Sequence, residues 1–203
     1  MNSLERMKAG LIYDPNQPEI KKAQKDCMLK MYTYNVAAPE EGEKRRALLK
    51  DMLAECGEDN CIEPPFYANW GGAHLHLGSH IYANYNLTLV DDADIYVGDY
   101  TMFGPGCILA TANHPVNPEL REKGYQYVKP VHIGRNVWLG AGVIICPGVT
   151  IGDNTVIGAG AIVTKDIPAN VVAVGCPARI IRRIDKHDHE YFYRAEKVDW
   201  ENL

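Results

Sequence analysis

The amino-acid sequence predicts a mainly β fold, in which short strands are joined by corners behind a short helical N-terminal segment. Three observations carry that expectation. From Ile133 to Pro168 the chain falls into six unbroken hexads: IGRNVW, LGAGVI, ICPGVT, IGDNTV, IGAGAI and VTKDIP. Their first positions are Ile, Leu, Ile, Ile, Ile and Val, and their second positions are Gly in four of the six. The stretch before Glu63-Pro64-Pro65, by contrast, has helical periodicity. A period of six is even, so it preserves strand alternation and keeps the large aliphatics on one face. In a helix six residues rotate by about 600°, which is far from a whole number of turns. β-branched residues with interspersed glycines favour short strands and tight corners.

Residues 1–60 form the predicted helical segment. Ser3 to Ala9 suits a short helix stopped at Gly10, and Pro18 suits the first turn of a second helix running to about Tyr34. Pro39 and the acidic pair Glu40-Glu41 are expected to open a third helix, with acidic side chains at its positive end. Leu48, Leu49, Met52, Leu53 and Cys56 form its apolar stripe, and Gly57 is the expected C-cap. Residues 61–178 are the predicted repeat domain. Upstream of the regular hexads lie weaker ones: LGSHIY from Leu77, ANYNLT from Ala83 and LVDDAD from Leu89, then VGDYTM, FGPGCI and LATANH after a slip of two residues. Residues 114–130 break the pattern. The segment is long enough for another coil. Its prolines and charges, however, would place Pro115, Arg121 and Tyr127 in the aliphatic column, so an extruded loop is expected. Residues 179–203 form a C-terminal helix or tail.

Bulk properties exclude several classes. The net charge of −5 argues against a general nucleic-acid binder, which needs a broad basic surface. The N-terminal MNSLERMKAG lacks the apolar core of a signal peptide, and no long apolar run is present, so a cytoplasmic protein off the membrane is expected. The six cysteines are irregularly spaced without a C-x-x-C pair, which suits free thiols rather than a disulfide framework or zinc knuckle.

His114, in T-A-N-H-P where a regular hexad meets the loop, is the leading candidate for chemistry. A neutral imidazole can take the proton of a hydroxyl as it attacks a thioester; otherwise His114 is a surface loop histidine. The cluster Arg179, Arg182, Arg183 and Lys186 stands out in an acidic chain as a phosphate-binding patch or a solvated helix face. His74, His76 and His80 suggest a metal cluster only weakly: His74 and His76 would share a strand face, which leaves a weak site open, but no metal is expected.

ANYNLTLVDD from Ala83 to Asp92, the T-A-N-H-P segment, PVHIGRNVWLGAGVIICPGVTIGDNTVIGAGAIVTKDIP and GCPARII together resemble the galactoside and maltose O-acetyltransferase family of hexapeptide-repeat acyltransferases. The likeness runs over nearly the whole chain. It implies a left-handed parallel β-helix, acetyl-CoA as cosubstrate, a sugar as acceptor, and a homotrimer with active sites between subunits. Carried over residue by residue, it implies that His114 is the general base and that Asn84 lies beside the reacting groups, where an amide can orient the acceptor or bind the oxyanion. It implies sugar contacts at Asp14, Asn69, Asn84 and Asp92, although Asn69 stands where a galactoside enzyme has serine. It implies a cofactor groove at Ala141, Ala159, Thr164, Lys165, Arg179 and Arg182. The long tail after GCPARII resembles the galactoside type more than the maltose type. Three alternatives stand beside this one: an acetyltransferase for an amino acid or antibiotic, a three-histidine zinc enzyme on the same scaffold, and a non-catalytic surface-binding solenoid.

Overall fold

Each hexad supplies one strand and one corner in the computed structural model, which describes residues 1–203. Three strands make one coil, and the coils stack as a parallel β-solenoid of three faces. The first face holds Glu55–Cys56, Leu75–Leu77, Ile95–Val97, Val131–Ile133 and Thr150–Ile151. The second holds Cys61–Ile62, Tyr82–Ala83, Met102–Phe103, Trp138–Leu139, Val156–Ile157 and Val171–Val174. The third holds Tyr67–Ala68, Thr88–Val90, Ile108–Ala110, Ile144–Ile145 and Ile162–Val163.

The register explains the hexad. Its first positions stack directly: Leu77, Val97, Ile133 and Ile151 on the first face; Ala83, Phe103, Leu139, Ile157 and Ala173 on the second; Leu89, Leu109, Ile145 and Val163 on the third. All of them are buried in one continuous core. The fifth positions, Val137, Val143, Val149, Ala161 and Ile167 among them, fill that core between the faces. Gly140 shows why the second position is small, since a Cβ there would lie 2.5 Å from the Ala159 backbone nitrogen of the next coil. The corner after the first face puts Asp59, His80, Tyr100, Asn136, Asn154 and Asn170 at positive φ, a conformation that Asn and Asp tolerate best. There the side-chain amide of Asn136 donates to Asn154, and that of Asn154 to Asn170, both at 3.0 Å.

The helical segment closes one open end of the stack. Helix α1 (Ser3–Lys8) starts on a capping box between Asn2 and Glu5. Helix α2 (Pro18–Asn35) has its proline in the first turn, and buries Met31 and Tyr34 against the first coil. The Asn35 amide completes that join, donating to the Phe66 carbonyl at 2.7 Å and accepting from the Phe66 N–H at 2.9 Å. Helix α3 (Gly42–Met52) begins later than Pro39 because residues 38–41 form a turn, with the Glu41 carboxylate accepting the Ala38 N–H. It also ends earlier than expected. Leu53 is extended, and Ala54 and Gly57 already donate to the Leu75 and Leu77 carbonyls of the second coil. Gly57 is therefore not a C-cap. The stripe from Leu48 to Cys56 crosses from helix to strand, and the first coil begins at Glu55, inside the segment assigned by sequence to the helices.

The segment after His114 leaves the coil, as its composition predicts, but it is ordered. Ala112–Asn113 pairs antiparallel with Tyr127–Val128, and helix α4 (Pro118–Glu122), capped by the Asn117 side chain, sits at the far end. Val128 packs with Met7, Tyr13, Ile20 and Trp70 in a second, small core. At the C-terminus Arg179–Arg183 folds back antiparallel on Val171–Val174, where the arginine spacing had suggested a helix face. Helix α5 (Lys186–Glu190) and a hairpin of Tyr191–Tyr193 with Glu196–Lys197 follow. No helix is long and apolar enough to cross a membrane.

Candidate active site

The two-residue slip read from the sequence sits at one corner. Leu77 pairs with Val97, twenty residues on, whereas Ile133 pairs with Ile151, eighteen residues on. The extra residues enter between Leu89 and Ile95, and they carry Asp91 and Asp92 inward, both buried. Asp91 accepts the backbone N–H groups of Trp70 at 2.7 Å and Gly72 at 3.0 Å, and its carbonyl accepts Nδ1–H of His74 at 2.6 Å. Burial pushes its carboxyl up to about 6, against the opposing pull of those N–H groups. Asp91 is thus the pin of the corner. Asp92 turns the other way. Its Oδ2 accepts the Asn69 amide at 3.0 Å, and its Oδ1 lies 3.3 Å from the Trp70 indole nitrogen and 3.4 Å from the Tyr13 hydroxyl.

His114 lies at the same corner, one coil further, where the arm begins. Its Nδ1 is 2.8 Å from the Tyr125 carbonyl. A carbonyl only accepts, so Nδ1 carries the proton and Nε2 is left with its lone pair. The Gln126 amide nitrogen lies 3.3 Å from that Nε2, and its oxygen lies 3.0 Å from the Tyr13 hydroxyl. Tyr13 and Gln126 also exchange backbone hydrogen bonds of 2.9 and 3.0 Å. Burial, with Asp92 beside it, holds the Tyr13 phenol well above its usual range. Asp14, next in sequence, accepts the Asn16 N–H and the Gln17 amide. The backbone bond from Asn16 chiefly holds its carboxyl below the usual range. A cavity of about 510 Å³ opens here, lined by Tyr13, Asp14, Gln17, Lys123 and Tyr125 among others.

The remaining candidates lie elsewhere on the coil. Asn84 follows the strand Tyr82–Ala83 and stands at the corner between the second and third faces, in the column of Gly104, Gly140 and Gly158. Its Oδ1 accepts the Tyr85 N–H at 2.8 Å, leaving the amide N–H₂ free to donate. Ala141 and Ala159 are exposed at that same corner on later coils, and Arg179 lies beside it, paired with Val174. Thr164 and Lys165 are exposed at the His114 corner, two coils further on. Arg182 is held by a bidentate bond to Asp188, at 2.6 and 2.7 Å. The third face separates the two corners by about six residues, up to ~20 Å when extended. No hydrogen bond joins Asn84 to His114 within one chain.

The three upstream histidines serve three different tasks. His74 holds the Asp91 carbonyl, His76 lies 3.1 Å from both Glu55 and Asp94, and His80 stacks on Tyr100. His132 stacks on Tyr96 across the first face. Tyr13, Trp70 and Gln126 were not foreseen. Tyr13 had a weak signal as the neighbour of Asp14, whereas Gln126 had none.

Residues 6–57 match the maltose acetyltransferase hexapeptide capping motif, and residues 130–165 match the bacterial transferase hexapeptide with six repeats. The chain is 49% identical over 199 residues to a galactoside O-acetyltransferase of Lactococcus lactis, covering 98% of this chain and 96% of the relative. Its fold is similar to that of a galactoside acetyltransferase solved in complex with coenzyme A, with a TM-score of 0.94 and 45% identity, covering 98% of this chain and 99% of the other. A maltose O-acetyltransferase from Clostridium difficile is similar at a TM-score of 0.88 and 40% identity, covering 91% and 98%.

Proposed function

The chain belongs to the galactoside and maltose O-acetyltransferase family of hexapeptide-repeat acyltransferases, and from that premise we propose that it acetylates a sugar hydroxyl with His114 as general base. It is an acyltransferase, and its cosubstrate is acetyl-CoA. The observation that carries the proposal is the tautomer of His114. The Tyr125 carbonyl commits Nδ1 as a donor and leaves Nε2 as the base, at the corner where Asp92, Asn69 and Tyr13 gather.

The acceptor hydroxyl gives its proton to His114 Nε2 as its oxygen attacks the thioester carbonyl carbon. The carbonyl oxygen becomes an oxyanion, for which the free Asn84 N–H₂ is a donor. The C–S bond then breaks, and the thiolate recovers the proton from the imidazolium. The products are an acetyl ester and coenzyme A. Asp92, with Asn69, takes hydroxyls of the acceptor through charge-assisted bonds, and Asp14 at the mouth of the adjoining cavity takes others. The exposed alanines at 141 and 159 leave room for the donor's chain to lie against backbone, with Thr164, Lys165, Arg179 and Arg182 toward its phosphates.

The two corners come together when the His114 corner of one chain faces the Asn84 corner of the next, in a closed ring of three. The outward residues of the second and third faces support such packing, because Met102, Trp138 and Val156 on one and Ile108, Ile144 and Ile162 on the other are apolar. The test is an acceptor panel with acetyl-CoA and free-thiol detection: galactosides, maltose, glucose, serine and chloramphenicol. Thiol release with a sugar is expected. Release only with serine or chloramphenicol would overturn the acceptor class.

A further inference from the structure

Gln126 stands between the two halves of the proposed acceptor site. Its Nε2 lies 3.3 Å from Nε2 of His114, its Oε1 lies 3.0 Å from the Tyr13 hydroxyl, and that hydroxyl lies 3.4 Å from Oδ1 of Asp92. Chemistry fixes the amide's orientation. The facing imidazole nitrogen has a lone pair and takes only a donor, and the amide nitrogen is the donor. The Tyr13 hydroxyl has a single hydrogen, and its nearer acceptor is the Gln126 oxygen. The backbone of Gln126 is itself paired with Tyr13, so the side chain projects from an anchored position.

In the resting molecule the lone pair that must receive the proton is thus occupied by an N–H of Gln126. An arriving hydroxyl displaces that N–H from His114 and leaves it beside the reacting oxygen without a partner. The geometry points to Gln126 as the residue that reads the acceptor's next oxygen: its freed N–H donates to a hydroxyl or ether oxygen adjacent to the reacting hydroxyl, on the side of Tyr13 and Asp92. Asp92 accepts and Gln126 donates, so the two distinguish different groups on one acceptor. The site selects a glycoside or polyol with neighbouring oxygens over a simple alcohol. This rests on acetyl transfer to a sugar with His114 as base.

The experiment is steady-state kinetics at saturating acetyl-CoA on methyl galactoside, methyl glucoside and their monodeoxy derivatives, for the wild type, Gln126→Leu and Tyr13→Phe. In the wild type, one monodeoxy derivative that keeps the reacting hydroxyl loses about tenfold in kcat/KM relative to its parent, the value of one hydrogen bond. Gln126→Leu brings that ratio to within about twofold, raises the parent sugar's KM and leaves the KM for acetyl-CoA unchanged. Tyr13→Phe keeps the packed ring and removes only the oxygen that orients the amide, so it narrows the ratio to about threefold. A Gln126→Leu enzyme that slows on every acceptor by one factor, with the deoxy ratio intact, overturns the assignment. A wild-type protein that releases no thiol with any of these sugars overturns the sugar-transfer reading and this inference with it, and the two failures are told apart by that control.

Discussion

Between Ile133 and Pro168 every coil repeats the same inward aliphatics, and register neighbours on the first face lie eighteen residues apart. Between Leu89 and Val131 the same solenoid takes two extra residues at one corner and extrudes an arm at the same corner of the next coil, and the polar side chains there turn inward or toward one another. The regular region is held by burial and by backbone and asparagine ladders that repeat from coil to coil, so each coil can substitute for the next. The irregular region is held by specific hydrogen bonds among Asp91, Trp70, Gly72, His74, Tyr13 and Gln126, none of which repeats. A repeat cannot build a unique constellation, because each position recurs on every coil. A break in the repeat can.

The comparison is broken most strongly at His114. His114→Ala is expected to lower kcat by about two to four orders of magnitude, the contribution of a positioned general base. Acetyl-CoA affinity, measured by calorimetry, is expected to be retained, because the cofactor candidates lie on the regular coils and on the strand Arg179–Arg183 that follows them. Near-normal turnover would remove His114 from the mechanism.

Asn84 tests whether the site is shared between chains. Asn84→Ala is expected to lower kcat by about 10²–10³-fold, as for loss of one oxyanion donor. Mixing the two inactive variants during refolding is the sharper measurement. If each site takes His114 from one chain and Asn84 from the next, about one site in four is intact in randomly mixed trimers. Recovery of roughly a quarter of wild-type activity is expected, and no recovery would place both residues in one chain's site.

The contrast also marks what the sequence could carry. The aliphatic column was legible down to its register, because burial on a stack imposes the same residue at the same hexad position; Leu139 over Ile157 follows from counting. A slip of two residues was legible for the same reason, as a failure of that count, although the count placed it after Asp94 and the structure places it at Asp91-Asp92. The first coil was not, because Leu53 and Cys56 are apolar at helical spacing and also face inward from extended chain. Nor was the contact of Tyr13 with Gln126, which joins residues 113 positions apart without periodicity or motif. His114 was singled out by its place where a hexad meets the loop, Asp92 was named through resemblance, and the arm through composition. Their linkage through Gln126 was visible only in three dimensions.

In the regular region the expected effect falls on stability rather than rate. Leu139→Ala removes a fully buried side chain between Phe103 and Ile157. It should cost about 2–5 kcal/mol in denaturant unfolding, with activity per folded molecule unchanged. A loss of kcat comparable to that of Asn84→Ala would show that the regular coils do more than support the site.

The smallest effect, and the most specific to the irregular corner, is a pH dependence from Asp91. Its folded carboxyl is raised by burial to about 6 from the usual 3.8. The folded state therefore binds the proton more tightly than the unfolded chain, and between those values the native protein holds more protons. Stability then falls as pH rises through this window, by about 1 kcal/mol per pH unit near pH 5, and levels off above the folded value. The carboxylate stays because two backbone N–H groups, of Trp70 and Gly72, need its two oxygens. Asp91→Asn supplies one acceptor and one donor, so it is expected to be less stable at every pH and to lose the Asp91 contribution to the slope. Unfolding free energies of both proteins at pH 4.5 and 5.5 measure the difference, because the other carboxylates contribute equally to each. Equal slopes would mean that Asp91 titrates as an ordinary surface carboxyl, and that the corner is held by the packing of Trp70 rather than by a buried charge.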